Sequence, residues 1–138
     1  MSELVVRKKQ GVFVFRADDI VYMEKSKRKI CLRTKCKGCC CTGTCSECDG
    51  NFRCGNLEFY GRFADVMPHL DGRFMHCHRS YIINMDRIVW MSGCEIFVDT
   101  NESIHMGRDA YRRASKIFTS YLNEKYPEKT LKNTNFFL

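Results

Sequence analysis

Short apolar runs separated by polar or glycine-containing turns constrain the fold of this chain more than any other feature of its sequence. Each run has the length of a β-strand, and most are too short for a typical helix. The predicted strands are 12–15, 20–24, 29–34, 57–60, 81–83, 87–91, 94–99 and 103–106. In the third of them Ile30 and Leu32 alternate with Lys29, Cys31 and Arg33, as in a half-buried strand. The sequence therefore predicts a mainly β fold.

Two segments have the apolar spacing of short amphipathic helices. The first covers 62–70, and Pro68 weakens its last turn because proline lacks a backbone N–H. The second begins near Asp109, which is placed to cap it, and Pro127 ends it. Its predicted apolar stripe is Ala110, Ala114, Ile117, Phe118, Tyr121 and Leu122. Residues 123–138 are predicted to form a C-terminal tail.

Composition limits the classes of protein to which the chain can belong. A length of 138 residues fits one domain. The net charge of +7 and a pI near 8.9 favour an acidic partner such as nucleic acid or anionic lipid. No apolar run reaches the roughly 18 residues that a membrane span needs. The first residues lack the basic and then apolar layout of a signal peptide, so a cytoplasmic protein is expected.

Three basic or donor-bearing segments lie at predicted turns. The first, 25–29, reads K-S-K-R-K, and phosphate contact would relieve the repulsion between its charges. The second is a polar loop at 76–80 within the run F-M-H-C-H-R-S-Y-I-I-N at 74–84. The third is Gly107-Arg108, before the second helix. The candidate DNA-binding residues are Lys25, Lys27, Arg28, Lys29, His78, Arg79, Ser80, Arg108 and Arg112. The alternative for each segment is an ordinary solvated turn.

A cysteine-rich segment separates the third and fourth predicted strands. Two C-x-x-C pairs can each direct two thiolates to one metal ion. The candidate ligands are Cys36, Cys39, Cys45 and Cys48, with Cys40, Cys41 and Cys54 as further candidates, and zinc or copper(I) as the metal. The segment is rich in glycine and has few apolar residues, so it cannot fold by its own packing. Redox-sensing thiols and a loop without a role are the alternatives.

The order of these motifs resembles the LytTR family of bacterial DNA-binding domains, and within it the regulators of the accessory-gene-regulator type. The matching pieces are D-I-V-Y-M-E at 19–24, the strand at 57–60, the helix at 62–70, Asp71 and the run at 74–84. The similarity predicts one domain over 1–122. The cysteine-rich insertion at 35–56 interrupts it, where the family has a short hairpin turn.

The resemblance implies an elongated fold of several β-sheets, whose loops enter successive major grooves of bent double-stranded DNA. It also implies paired short direct repeats bound by two copies, and it gives Arg108 the place of a base-contacting arginine. Family members usually carry a receiver domain. Since 138 residues leave no room for one, phosphorylation within this chain is not expected, and the metal or thiol state of the insertion becomes the hypothetical input.

The expected function is therefore a sequence-specific transcription regulator. The alternative is a metal-binding or redox-sensing protein with incidental DNA affinity. An enzyme with a small-molecule substrate is not expected, because the sequence has no carboxylate pair, phosphate-binding loop or nucleophile elbow. In the run His76-Cys77-His78, neighbouring side chains of a strand point to opposite faces, so a thiolate–histidine pair would be strained.

Overall fold

The computed structural model describes residues 3–35, 56–129 and 131. The strands are β1 (Glu3–Lys8), β2 (Gly11–Arg16), β3 (Ile20–Ser26), β4 (Lys29–Thr34), β5 (Asn56–Tyr60), β6 (Phe74–His78), β7 (Tyr81–Asn84), β8 (Ile88–Ser92), β9 (Glu95–Val98) and β10 (Ser103–His105). The α-helices are α1 (Phe63–Val66) and α2 (Arg108–Lys125). The predicted mainly β fold with two helices is confirmed.

Five strands form a central antiparallel sheet in the order β5-β4-β3-β7-β6. β3 lies in the middle because its first residues, from Ile20 to Met23, offer no charged side chain and are all buried. In β4 the predicted alternation holds, since Ile30 and Leu32 are fully buried while their neighbours remain partly exposed. The strong apolar pattern of these two strands therefore fixes the centre of the sheet.

The two faces of the central sheet pack against different elements. On one face lie the β1–β2 hairpin and α1, with Leu4, Phe15 and Phe63 in a shared core. On the other lie α2 and a three-stranded sheet in the order β10-β9-β8, with Ile96 and Ala114 in a second core. Each small sheet thus covers one face of the central sheet, and their outer faces point in opposite directions.

Asn84, the last residue of β7, joins several segments of the fold. It is fully buried, and its amide Nδ2 donates hydrogen bonds to the carbonyl oxygens of Ala17, at 3.2 Å, and Ile20, at 2.8 Å. Its Oδ1 accepts a hydrogen bond from the backbone N–H of Asp86 at 3.0 Å. These bonds fasten the end of β7 to the start of β3, so the asparagine that ends the 74–84 run has a structural role.

The first helix is shorter than the sequence predicts. α1 ends at Val66, and the chain continues as a 3-10 turn over Met67–His69. Pro68 lies in that turn, and its missing N–H removes a hydrogen bond that a continued α-helix would need. In the second helix Ile117 is 41% exposed, so its place in the buried stripe was predicted wrongly, whereas Ala110 and Ala114 are buried as expected.

Neither described helix has both the length and the apolar composition needed to cross a bilayer.

Candidate nucleic-acid interface

A two-residue turn, Lys27-Arg28, joins β3 to β4 at one end of the central sheet. The predicted basic loop at 25–29 is therefore shorter than expected, because Lys25 and Lys29 belong to strands. Their side chains lie on opposite faces of the central sheet. By the alternation of strand residues, Lys25 is on the face that carries the first core, and Lys29 is on the other face. Lys27 has a φ of 58°, a left-handed conformation that is uncommon for residues other than glycine.

A second two-residue turn, Arg79-Ser80, lies beside the first. It joins β6 to β7, and the carbonyl oxygen of Ser80 accepts a hydrogen bond of 2.8 Å from the backbone N–H of Lys25 near the end of β3. Because β3 and β7 are antiparallel neighbours, with Glu24 opposite Tyr81, both turns lie at the same end of the sheet.

His78 is held at the edge of this turn by a local hydrogen bond. The backbone N–H of Ser80 donates to its Nδ1 at 3.0 Å. A neutral imidazole that accepts at Nδ1 carries its proton on Nε2, so the other ring nitrogen is a hydrogen-bond donor. The ring also packs against Tyr81, with centroids 5.5 Å apart, and the Tyr81 hydroxyl donates to Glu24 at 3.3 Å. His78 is thereby oriented before any ligand binds.

The predicted polar loop at 76–80 is wrong in extent, because residues 76–78 belong to β6 and only Arg79 and Ser80 form the turn. The exposed His76 lies on the side of the first core, where its ring meets the edge of Phe63 at 5.2 Å. Partial burial and the charge of nearby His78 lower the pKa of His76. His76 is thus not part of the turn.

The third segment is the start of α2. Gly107 is its N-cap, with no side-chain cap, so the predicted capping role of Asp109 is wrong. Asp109 lies in the first turn, where a carboxylate still interacts favourably with the helix dipole. Arg108 is the first helical residue rather than part of the preceding turn. Arg108 and Arg112 are four positions apart, and therefore lie on the same side of the helix.

Contacts at both of its ends fix the direction of α2 across the central sheet. Just before the helix, Met106 Sδ lies 4.0 Å from Sγ of Cys77, next to the end of β6 that carries the Arg79-Ser80 turn. At the other end, Lys125 Nζ lies 2.6 Å from Oδ1 of Asp86, beyond the opposite end of β7. α2 therefore starts at the end of the sheet where both turns lie.

The structure thus brings the three predicted segments to one end of the central sheet. We call this the basic end, defined by Lys27-Arg28, Arg79-Ser80 and Gly107-Arg108. The ion pairs between described residues include none of the candidate DNA-binding residues. Basic side chains gathered without acidic partners favour an anionic ligand. The N-terminus of α2, where Gly107 provides no side-chain cap, adds backbone N–H donors suited to phosphate.

Two residues near the basic end were not among the sequence candidates. Tyr60 is 75% exposed, and its ring centre lies 5.5 Å from Nζ of Lys29. The neighbouring Gly61 N–H donates to the carbonyl oxygen of Arg28 at 3.2 Å, which places Tyr60 close to the first turn. Its position at the end of a predicted strand, directly before a glycine, was the available signal in the sequence. Arg113, next to the candidate Arg112, lies close enough to Cys77 to affect the thiol electrostatically.

The alternation of Cys77 with His76 and His78 predicts a half-buried free thiol, but the structure buries this residue. It is only 4% exposed, and burial raises the pKa of its thiol to about 11. The group therefore stays protonated at neutral pH, which does not suit a reactive thiolate. In the part of the chain that the structure describes, no three metal-ligating side chains are grouped to hold an ion. The predicted ligands Cys36, Cys39, Cys40, Cys41, Cys45, Cys48 and Cys54 lie outside the described residues.

Comparison with known proteins gives a family match and a structural match. A family model described as the LytTr DNA-binding domain matches residues 51–119, half of the chain. Among solved structures, the chain is similar to the LytTr DNA-binding domain of a putative methyl-accepting/DNA response regulator from Bacillus cereus. That match has a TM-score of 0.54 and 14% sequence identity, and it covers 90% of this chain and 95% of the other. No curated protein matches the sequence.

Proposed function

The chain belongs to the LytTR family of DNA-binding domains, and we propose that it is a transcription regulator that reads paired short direct repeats with two copies. The observation that carries this proposal is the basic end. It gathers residues from three separate parts of the sequence, and none of the candidates forms an ion pair with another described residue. No reaction is assigned, since the family is one of DNA-binding domains.

Different residues of the basic end have different roles in the proposed complex. Arg79 and Arg108 contact base edges in the major groove, because a guanidinium can donate two hydrogen bonds to guanine O6 and N7. His78 adds a donor through Nε2, which its bond to Ser80 leaves protonated. The exposed Lys27 and Arg28 contact phosphates and thereby supply affinity without sequence preference.

Selection of bound DNA from a random pool tests the proposal directly. We expect enrichment of a short motif that occurs twice in the same orientation. A double variant, Arg79→Ala with Arg108→Ala, should enrich a less defined motif or none. Enrichment of a single site would contradict the two-copy arrangement. Absence of any enrichment with the wild-type chain would contradict specific binding.

The second part of the proposal concerns the cysteine-rich insertion at 35–56, whose metal or thiol state would modulate DNA binding. The support is the spacing of the two C-x-x-C pairs and the place of the insertion in the chain. It follows β4, whose first residue, Lys29, lies at the basic end. Six strand residues span about 17 Å, so the two features are connected by one short strand.

Metal loading separates this modulation from simple DNA binding. The protein, loaded with zinc or stripped by a chelator, should differ in affinity for the selected DNA, and a Cys36→Ser, Cys39→Ser variant should lose the difference. Cobalt substitution should give ultraviolet thiolate charge-transfer bands. Equal affinity in both states would remove the modulation. Stoichiometric metal binding without any enriched DNA would instead favour a metal-binding or redox-sensing protein with incidental DNA affinity.

A further inference from the structure

The outer side of the β1–β2 hairpin is unusually apolar for a surface. Leu4, Val6 and Phe15 face inward, so the alternate positions face away from the central sheet. These outer positions carry Val5, Val12 and Val14, which are 49%, 57% and 59% exposed, and Val5 is paired directly with Val14. We call them the valine face. An outer face of an antiparallel sheet ordinarily carries polar residues.

A second apolar face lies on the outer side of β8 and β9. Trp90 is 56% exposed and is paired with Phe97, with their ring centroids 4.6 Å apart. Val89 is 59% exposed and is the extra residue of a bulge between Ile88 and Trp90. We call Val89, Trp90 and Phe97 the tryptophan face. Exposed tryptophan is enriched at protein–protein contacts.

The two faces lie on opposite sides of the molecule. The hairpin covers one face of the central sheet and the three-stranded sheet covers the other, so their outer surfaces point away from each other. A single patch that meets its own copy forms a closed two-fold dimer. Two different patches on opposite sides instead let identical copies meet head to tail.

The charges beside the two faces are complementary. Arg7 lies opposite Val12 on the valine face and is exposed, and Arg16 on the same side lies opposite Glu3 in the strand register. On the tryptophan face, Glu95 lies two residues before Phe97 and thus on the same side of β9. Arg7 is in none of the ion pairs between described residues, so a contact between the faces would set a basic side chain near a glutamate.

We propose that the tryptophan face of one copy docks on the valine face of a second copy of this chain, and that this contact couples copies bound to neighbouring DNA repeats. The inference rests on the proposed function, because direct repeats hold identical copies in the same orientation. Two strands of six residues cover roughly 20 by 10 Å, or about 200 Å². That is well below the roughly 800 Å² per partner of a stable interface. The contact is thus weak in solution and takes effect when DNA holds both copies at a high effective concentration.

Mixing two variants tests the contact without DNA. Val14→Glu removes the valine face and Trp90→Thr removes the tryptophan face, and both side chains are exposed, so each variant should fold. Isotope-labelled Val14→Glu protein at millimolar concentration should show amide shifts in β8 and β9 when unlabelled Trp90→Thr protein is added. Unlabelled Val14→Glu protein should cause none. Shifts with neither partner, or equal shifts with both, would overturn the head-to-tail contact.

Binding to the selected DNA provides the second test. With wild-type protein, the second of two adjacent repeats should bind about tenfold more tightly than an isolated repeat. Val14→Glu and Trp90→Thr should each remove this factor, an equal mixture should restore part of it, and Ile117→Ala, an exposed apolar control outside both faces, should keep it. Arg7→Glu should remove it, and mixing with Glu95→Arg should restore it.

The two proposals fail in different ways. Cooperativity that persists in both face variants would overturn the contact while leaving the affinity for single repeats, and thus the proposed function, intact. Absence of selective binding to any DNA would overturn the proposed function, and the DNA-free mixing experiment would still decide the contact.

Discussion

The two ends of the central sheet carry the same kinds of charged residue in opposite arrangements. At the basic end, the arginines and lysines form no ion pairs with other described residues. At the other end, which we call the ion-paired end, Arg87 Nη1 lies 3.0 Å from Oδ2 of Asp99, and Lys35 Nζ lies 3.6 Å from the same atom. Lys125 pairs with Asp86 there at 2.6 Å. A basic residue that is paired with a carboxylate thus stabilises the fold, whereas a basic residue without such a partner is available to a ligand.

The ion-paired end also contains partly buried polar contacts that hold segments together. The hydroxyl of Tyr22 donates a hydrogen bond of 2.9 Å to the Glu102 carboxylate, and the same carboxylate forms an ion pair with Arg33 at 3.4 Å. Burial and the carboxylate of Glu102 raise the pKa of Tyr22 far above its usual value, so the phenol remains a donor at neutral pH. Changes at this end should therefore alter stability, and changes at the basic end should alter DNA binding.

Asn84→Ala should have the largest effect on stability. It removes two donors and one acceptor from a fully buried site and leaves their partners unsatisfied. We expect the free energy of unfolding to fall by about 2–4 kcal/mol, measured by urea denaturation. The exposed Asn123→Ala should change it by less than about 0.5 kcal/mol. An equally stable Asn84→Ala protein would show that these bonds do not hold the end of β7.

Arg79→Ala and Arg108→Ala should have the next largest effect, on binding rather than on stability. Each should weaken binding to a single selected repeat by about 1–3 kcal/mol and relax the preference at one base position. Arg16→Ala is a matched control, because it removes an exposed arginine at the opposite end of the sheet. Equal losses on selected and random DNA, measured by titration, would contradict base reading by Arg79 and Arg108.

Lys27→Gly should have a smaller and uniform effect on DNA affinity. Glycine is the suitable substitution because it accepts the positive φ of this position without strain. Loss of one phosphate contact should reduce the slope of log affinity against log salt concentration by about one, for selected and random DNA alike. Lys27→Arg should preserve the slope. A loss confined to the selected sequence would instead give Lys27 a role in base reading.

Asp86→Asn should have the smallest effect, and it should depend on pH. Burial alone would raise the pKa of Asp86, but hydrogen bonds from Lys125 and Tyr121 outweigh it and lower the pKa. The wild-type chain therefore gains stability above the unfolded pKa of about 3.9 and loses it as the pH falls through the folded value. The side chains are partly exposed, so we expect less than about 1 kcal/mol at pH 7.

Unfolding curves of the wild-type and Asp86→Asn proteins between pH 7 and acid check this prediction. The difference in stability between them should shrink as the pH falls, while DNA affinity at pH 7 stays equal. A constant difference across that range would show that the ionised carboxylate of Asp86 contributes nothing.

The sequence predicted eight of the ten described strands because their apolar runs are strong, but it missed β1 and β6 and could not fix the lengths of the turns. Lys25 and Lys29 belong to a dense basic cluster that resembles a loop, yet backbone pairing across the hairpin extends both strands to Lys27-Arg28. β1 was not predicted, because Val5 interrupts the alternation of Leu4 and Val6 with polar residues. That same outward valine is part of the valine face.

Convergence of the three basic segments could not be derived from their spacing in the sequence. It depends on the pairing of β3 with β7 and on the direction of α2, and both are tertiary features. The resemblance to LytTR domains supplied the expectation. The burial of Cys77 was also missed, because its neighbours His76 and His78 give no sign that the three-stranded sheet and α2 cover that face.

Amide hydrogen exchange of the protein, free and bound to the selected DNA, tests most directly whether the basic end is the DNA-binding surface. We expect slower exchange in the bound state at Lys27-Arg28, Arg79-Ser80 and the first turn of α2. Exchange around Arg87, Asp99 and Lys125 should be unchanged. Protection at the ion-paired end, or at none of the three segments, would contradict the assignment.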